Sequence, residues 1–126
     1  MSFNQAVLIG DIGDDLALRQ QPSGEAELSF SVATDESFQG EPRKRLEWHR
    51  VVAIGSLAET CSKRLKAGTQ IYVEGQLGSH KFAMSNQPGR PEQVAILASK
   101  VQVLGAAPKN QNGIPVPAEN PMAAST

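Results

Sequence analysis

The run EWHRVVAIG, Glu47 to Gly55, sets the chain's only tryptophan beside a histidine and an arginine, inside a segment with the apolar content of a β-strand. Strand side chains alternate between two faces, so Trp48, Arg50, Val52 and Ile54 share one face and Glu47, His49, Val51 and Ala53 the other. An arginine does not enter an apolar interior without a partner, so Arg50 facing outward takes Trp48 with it. A flat aromatic beside a guanidinium on an open sheet suits a polyanion with π-faces. Bases stack on such a ring for roughly 1 to 3 kcal/mol each whatever their sequence, and the cation neutralises phosphate. The residues leave one alternative open, in which Trp48 covers core at a barrel end and Arg50 pairs with Glu74 or another acid.

A second run, EGQLGSHKF, repeats the theme. Glu74, Gln76, Gly78, His80 and Phe82 share a face, with Lys81 and Arg90 close to Phe82 in sequence. Phe38 opens a polar segment, SFQGEPRK, that carries Arg43 and Lys44 and is followed by Arg45. Three aromatics are thus interleaved with bases. His80 is a candidate phosphate contact or a half-exposed histidine without a role. Phe30 and Tyr72, mid-strand in apolar runs, read as core or subunit interface.

Other chemistries find little support. Asp14 with Asp15, and Asp35 with Glu36, are adjacent pairs whose side chains would diverge on a strand and which in turns solubilise or cap. Cys61 lies on an apolar helical stripe and reads as a small core residue; as the single cysteine it forms no internal disulfide. No phosphate-binding glycine loop and no metal-ligand spacing is present in the sequence, so neither an enzyme nor a cofactor is expected. Net charge is -1 over 126 residues, yet residues 1–42 carry eight acids against one base and residues 43–100 ten bases against four acids. That asymmetry fits a basic track for a polyanion or an ordinary solvated surface.

Short alternating runs position these residues: QAVLIG, AELSFSVATDES, RLEWHRVVAI, TQIYVEGQLGSHKF and EQVAILASKVQVL. Between the third and fourth lies one helix, SLAETCSKRL. Ser56 and Glu59 are spaced for a capping box, Leu57, Cys61 and Leu65 form an apolar stripe, and Gly68 is a stop signal. The order βββαββ predicts an all-β fold, a five-stranded OB-fold barrel with one helix between strands 3 and 4. The barrel spans residues 1–105, and residues 106–126, holding four of the eight prolines, read as a disordered tail. No run approaches the roughly 20 apolar residues of a membrane span, and the N-terminus lacks a signal-peptide pattern, so a soluble, cytoplasmic protein is expected.

From about Asn4 to Leu104 the chain resembles the bacterial-type single-stranded DNA-binding proteins. The resemblance is carried by VLIGDIGDD, LSFSVATDESF, EWHRVVAIGSLAE, LKAGTQIYVEGQL and VQVLG. It implies a homotetramer of OB folds that wraps single-stranded DNA without sequence preference, while the sequence itself leaves a dimer open. It also implies that Trp48, Phe82 and Phe38 stack on bases, that Arg50, Lys81, Arg19 and Arg90 meet or neighbour phosphates, and that His49 falls at a subunit interface. With these, His80, the helix-proximal Lys63 and Lys66, and Arg43 and Lys44 complete the expected DNA-binding set, while His49 and Tyr72 are the expected interface residues.

The departures from the family pattern carry their own expectations. Ile54 stands where an aromatic is usual, Gly78 and His80 replace two arginines, and Asp11 and Leu16 alter the N-L-G-x-D-P motif. Each lost phosphate contact flattens the salt dependence by roughly 0.7 in log–log slope, so binding weaker than the family norm is expected. The chain ends ENPMAAST in place of an acidic tip closed by phenylalanine, so replication or repair proteins would be recruited by another route. Two rivals remain at this level: an OB-fold adaptor for replication restart that binds DNA weakly, and a barrel nuclease.

Overall fold

The computed structural model describes residues 1–43, 45–81 and 93–105. In chain order the elements are β1 (Ala6–Ile12), β2 (Ala17–Gln20), β3 (Ala26–Asp35), β4 (Leu46–Ile54), α1 (Ser56–Arg64), β5 (Gln70–His80) and β6 (Gln93–Gly105). Five of the strands close into a ring. β1 pairs with β5, β5 with β6, β6 with β4 in parallel, and β4 with β3, and β3 returns to β1 through Asp11–Ala33 and Ile12–Val32. This is the expected OB-type barrel.

The sixth strand, β2, hangs on the edge of β3 as a four-residue hairpin arm, and it moves the helix to a place between the fourth and fifth strands in chain order. Three of its four residues are exposed, so no alternation marks it. The Pro22-Ser23-Gly24 turn, closed by the Gly24 N–H on the Gln21 carbonyl at 2.8 Å, was its readable signal.

Alternation decides the core. Leu28, Phe30 and Val32 of β3, Val51 and Ala53 of β4, Ile71 and Val73 of β5, Ile96 of β6 and Ile12 of β1 fill the barrel, each no more than 4% exposed. Helix α1 seals one end with Ala58 and Cys61, joined by its C-cap residue Leu65. Cys61 packs into the core at 5% exposure, and burial pushes its thiol above its usual pKa against the opposing pull of Arg64.

The expected capping box does not form. Ser56 is the first helical residue, Gly55 is the N-cap, and no side chain caps the first turn. The Gly55 backbone instead ties into the sheet, its N–H donating to the Ala26 carbonyl at 2.9 Å.

On the opposite wall β5 and β6 come close at Gly75. The β5–β6 register shifts between Glu74 and Gly75, and a Cβ at Gly75 would stand 2.2 Å from the Leu97 carbonyl oxygen. Only a residue without a side chain lets the two backbones approach so closely at this bulge.

Candidate nucleic-acid interface

The outer face of β3 is built of small residues. Ser29, Ser31 and Ala33 point away from the core, opposite Val52, Arg50 and Trp48 of β4 respectively. Low side chains on one strand let the long ones of the next lie across them. Trp48 and Arg50 therefore share one outer face, and Arg50 pairs with Asp15, not with Glu74.

Trp48 is half-buried. Its ring packs against Gly13, where an added Cβ would stand 2.7 Å from the indole Cζ3, so glycine is what lets the ring come this close. The indole Nε1–H is buried without an acceptor among the described residues, a cost of about 1 to 3 kcal/mol unless a neighbour supplies one. Carrying that cost fits a ring held in place for its face and not for its N–H.

Arg50 sits in a seam of the barrel. On one edge of β3, β2 pairs with residues 26–29 and β1 with residues 32 and 33, which leaves Ser31 between them. Gly13 and Asp15 satisfy Ser31 in place of a strand: the Gly13 N–H donates to the Ser31 carbonyl at 2.9 Å, and the Ser31 N–H donates to Asp15 Oδ1 at 2.9 Å. The other carboxylate oxygen accepts from the Ser31 hydroxyl at 2.6 Å and from Arg50 Nη1 at 2.7 Å. Sequence reading took Asp15 for a solubilising or capping residue. Its actual work depends on where β1 and β2 leave β3, which no local pattern reports.

Further along the face the surface turns apolar, with Val52 and Ala95 buried and Ile54 and Leu97 packed on them. Beyond lies the part-buried His80, its Nε2 2.6 Å from Oε1 of the buried Glu27. His80 is therefore anchored to an internal carboxylate. Arg19, exposed on β2, is directly opposite Glu27 and lies on the same side of the sheet. Lys81 is exposed just past the end of β5.

At the other end the β3–β4 loop presents Phe38, 69% exposed. Sequence reading left Arg45 out of the site, but its guanidinium carbon lies 4.8 Å from the Phe38 ring centroid. The arginine is itself held by its backbone N–H on the Ser37 hydroxyl at 2.7 Å and by Nη2 on the Glu36 carbonyl at 2.8 Å. Arg43 is exposed in the same loop.

Not every expected residue joins this face. Lys63 and Lys66 are exposed on α1 and the turn after it, at the sealed end of the barrel beyond β4. Phe82, Arg90 and Lys44 lie outside the described residues.

The two expected interface residues sit on different surfaces. His49 follows the inward alternation and meets Thr34 Oγ1 at 2.8 Å. Tyr72 is on the outer face of the β1–β5 wall, opposite Ile9, and its hydroxyl donates to Glu74 Oε1 at 2.7 Å. Among the described residues no three His, Cys, Asp or Glu side chains are grouped to hold a metal, and no helix is long and apolar enough to cross a membrane.

A closed barrel with one helix at its end and a tryptophan–arginine pair on the outer face of β4 is of the OB type. The chain belongs to the single-strand binding protein family, whose model matches residues 3–104. It is 38% identical over 107 residues to Single-stranded DNA-binding protein 1 of Chlorobaculum tepidum, a match covering 82% of this chain and 66% of that protein. The chain thus spans just under two thirds of that relative's length.

Proposed function

We propose that this chain binds single-stranded DNA without reading its sequence and coats exposed strands in replication, repair and recombination, acting by binding and not by catalysis. One observation carries the reading: Trp48 and Arg50 stand two residues apart on one outer strand face, the ring packed against Gly13 and the guanidinium within reach of solvent. Bases stack on Trp48, with Phe38 and Phe82 as further platforms. Arg50, Lys81, Arg19, Arg90, Arg43 and Lys44 guide the phosphates, with His80, Lys63 and Lys66 as outlying members. The proposed site of action is the cytoplasm, at the nucleoid.

A homotetramer completes the proposal. Among the described residues, Ala6 to Gly10 of β1 pair with β5 on one side only, and Val7 and Ile9 are 49% and 56% exposed beside Tyr72. An open strand edge next to apolar side chains is suited to pairing with a second copy.

Titration with oligo-dT tests the reading, with Trp48 as the only emitter of its kind. Quenching by the single strand, weakened by salt and absent with duplex DNA, supports it. An unchanged emission from the folded protein sinks it and turns attention to the adaptor reading, which the acid-held Arg50 and His80 favour; capture of replication proteins in the absence of DNA tests that alternative.

A further inference from the structure

On the face that carries Trp48, the Arg50 guanidinium already holds an anion. Asp15 Oδ2 lies 2.7 Å from Nη1, and the two side chains are 42% and 29% exposed. We infer that Asp15 is a built-in stand-in for a DNA phosphate, competing with the strand for Arg50 and setting how tightly and how salt-dependently the face binds. The inference rests on the function proposed above.

The geometry supports competition over simple surface pairing. Asp15 is fixed from the other side, since its Oδ1 accepts the Ser31 N–H and its Oδ2 the Ser31 hydroxyl, so it cannot swing away without opening the barrel seam. Arg50 also donates to the Ser31 hydroxyl at 3.1 Å, which keeps the guanidinium beside the carboxylate. An arriving phosphate offers Arg50 the same charge and the same oxygen geometry as the carboxylate. It must either share the guanidinium across two like-charged acceptors or draw it off Asp15. In both cases part of the attraction is already spent before DNA arrives, and fewer counterions remain to be released.

Half-exposure makes the exchange feasible, because an ion pair open to water is weak and opens readily. Asp11 is in the same cross-strand row as Trp48, and Asp14 is exposed next door, so a general negative field is the rival explanation. Local competition through Arg50 and a diffuse field differ in one respect. Only the first needs Arg50.

The test measures binding of the full chain to labelled oligo-dT by anisotropy across a salt series, for the native protein, Asp15→Asn, Asp14→Asn, Arg50→Ala and the Asp15→Asn/Arg50→Ala pair. Asparagine keeps an oxygen for the Ser31 N–H; Asp15→Ser is the second variant should the first not fold. The expected result is binding about two- to fivefold tighter for Asp15→Asn at low salt, the scale of one exposed ion pair. The log–log salt slope should steepen by up to about 0.7, one phosphate's worth. The gain should vanish in the Arg50→Ala background, and Asp14→Asn should show less than half of it. An equal gain for Asp14→Asn, a gain that survives without Arg50, or unchanged or weaker binding of folded Asp15→Asn overturns the inference. If Arg50→Ala alone leaves affinity unaltered, the placing of Arg50 on the DNA path fails with it; if Arg50→Ala weakens binding and Asp15→Asn changes nothing, only the inference about Asp15 falls.

Discussion

His80 Nε2 lies 2.6 Å from Glu27 Oε1, joining residues 53 apart in sequence, and the glutamate side chain is only 1% exposed. A carboxylate that far from water requires a donor, and an imidazole N–H supplies one in either charge state of the ring. His80→Ala should therefore act first on stability, by about 2 to 3 kcal/mol, as expected when one member of a buried pair is removed. Glu27→Gln should cost less than His80→Ala, because the amide keeps an acceptor and buries no charge. Urea unfolding of the two variants checks this. Losses under 0.5 kcal/mol for His80→Ala, the range of an unremarkable surface change, would show that the pair does not hold the end of β5.

The loop residue Phe38 is presented by Arg45, whose guanidinium stacks on one ring face and whose backbone is pinned to Ser37. The ring's other face is the one a base can reach. Arg45→Lys keeps the charge but loses the planar stacking group, so it should weaken oligo-dT binding about two- to fivefold with the salt slope little changed. A loss seen only for Arg45→Ala, and not for Arg45→Lys, would mean that the residue contributes charge alone. Anisotropy titrations of both variants, each run across salt, separate the two.

Trp48 separates stability from binding. Its Nε1–H is buried without an acceptor among the described residues, so Trp48→Phe removes an unsatisfied donor and keeps an aromatic ring on Gly13. Thermal stability should hold or rise slightly, while affinity for single strands falls because the stacking surface is smaller. Trp48→Ala should lose roughly 1 to 3 kcal/mol of binding. A Trp48→Phe protein that is destabilised by more than about 2 kcal/mol would show the indole to be a core support first and a platform second.

Much of this architecture is legible in the chain, and the reasons differ from element to element. Leu28, Phe30 and Val32 alternate against Ser29, Ser31 and Ala33, and that contrast alone fixes which face of β3 is the core. The same period puts Trp48 and Arg50 together. What the sequence conceals is whatever depends on ring closure. Asp15 finds Arg50 across 35 residues because β1 and β2 abandon β3 at Ser31, and Glu27 finds His80 because β5 extends past the Gly75 bulge. Local signals misled at Ser56 and Glu59. Their spacing suits a capping box, but Gly55 is drawn into the sheet by Ala26 and becomes the cap itself.

Tyr72 yields a pH dependence with a definite sign. Its hydroxyl donates to Glu74 Oε1 at 2.7 Å, and that bond, with burial and the nearby negative charge adding to it, holds the phenol proton and raises the pKa above its ordinary value of 10.0. A group whose pKa is higher folded than unfolded contributes stability that is complete below the unfolded value and disappears as pH climbs through the folded one. The difference in melting temperature between the native chain and Tyr72→Phe should therefore be constant from neutral pH to about 9, then shrink above 10. Lys100, whose Nζ stands 5.8 Å from the Tyr72 ring centroid, is directly opposite Glu74, so the comparison is repeated in a Lys100→Gln background to remove any contribution from the ammonium. A difference that widens with rising pH would reverse the assignment, showing that the ionised phenolate is the form the folded wall prefers.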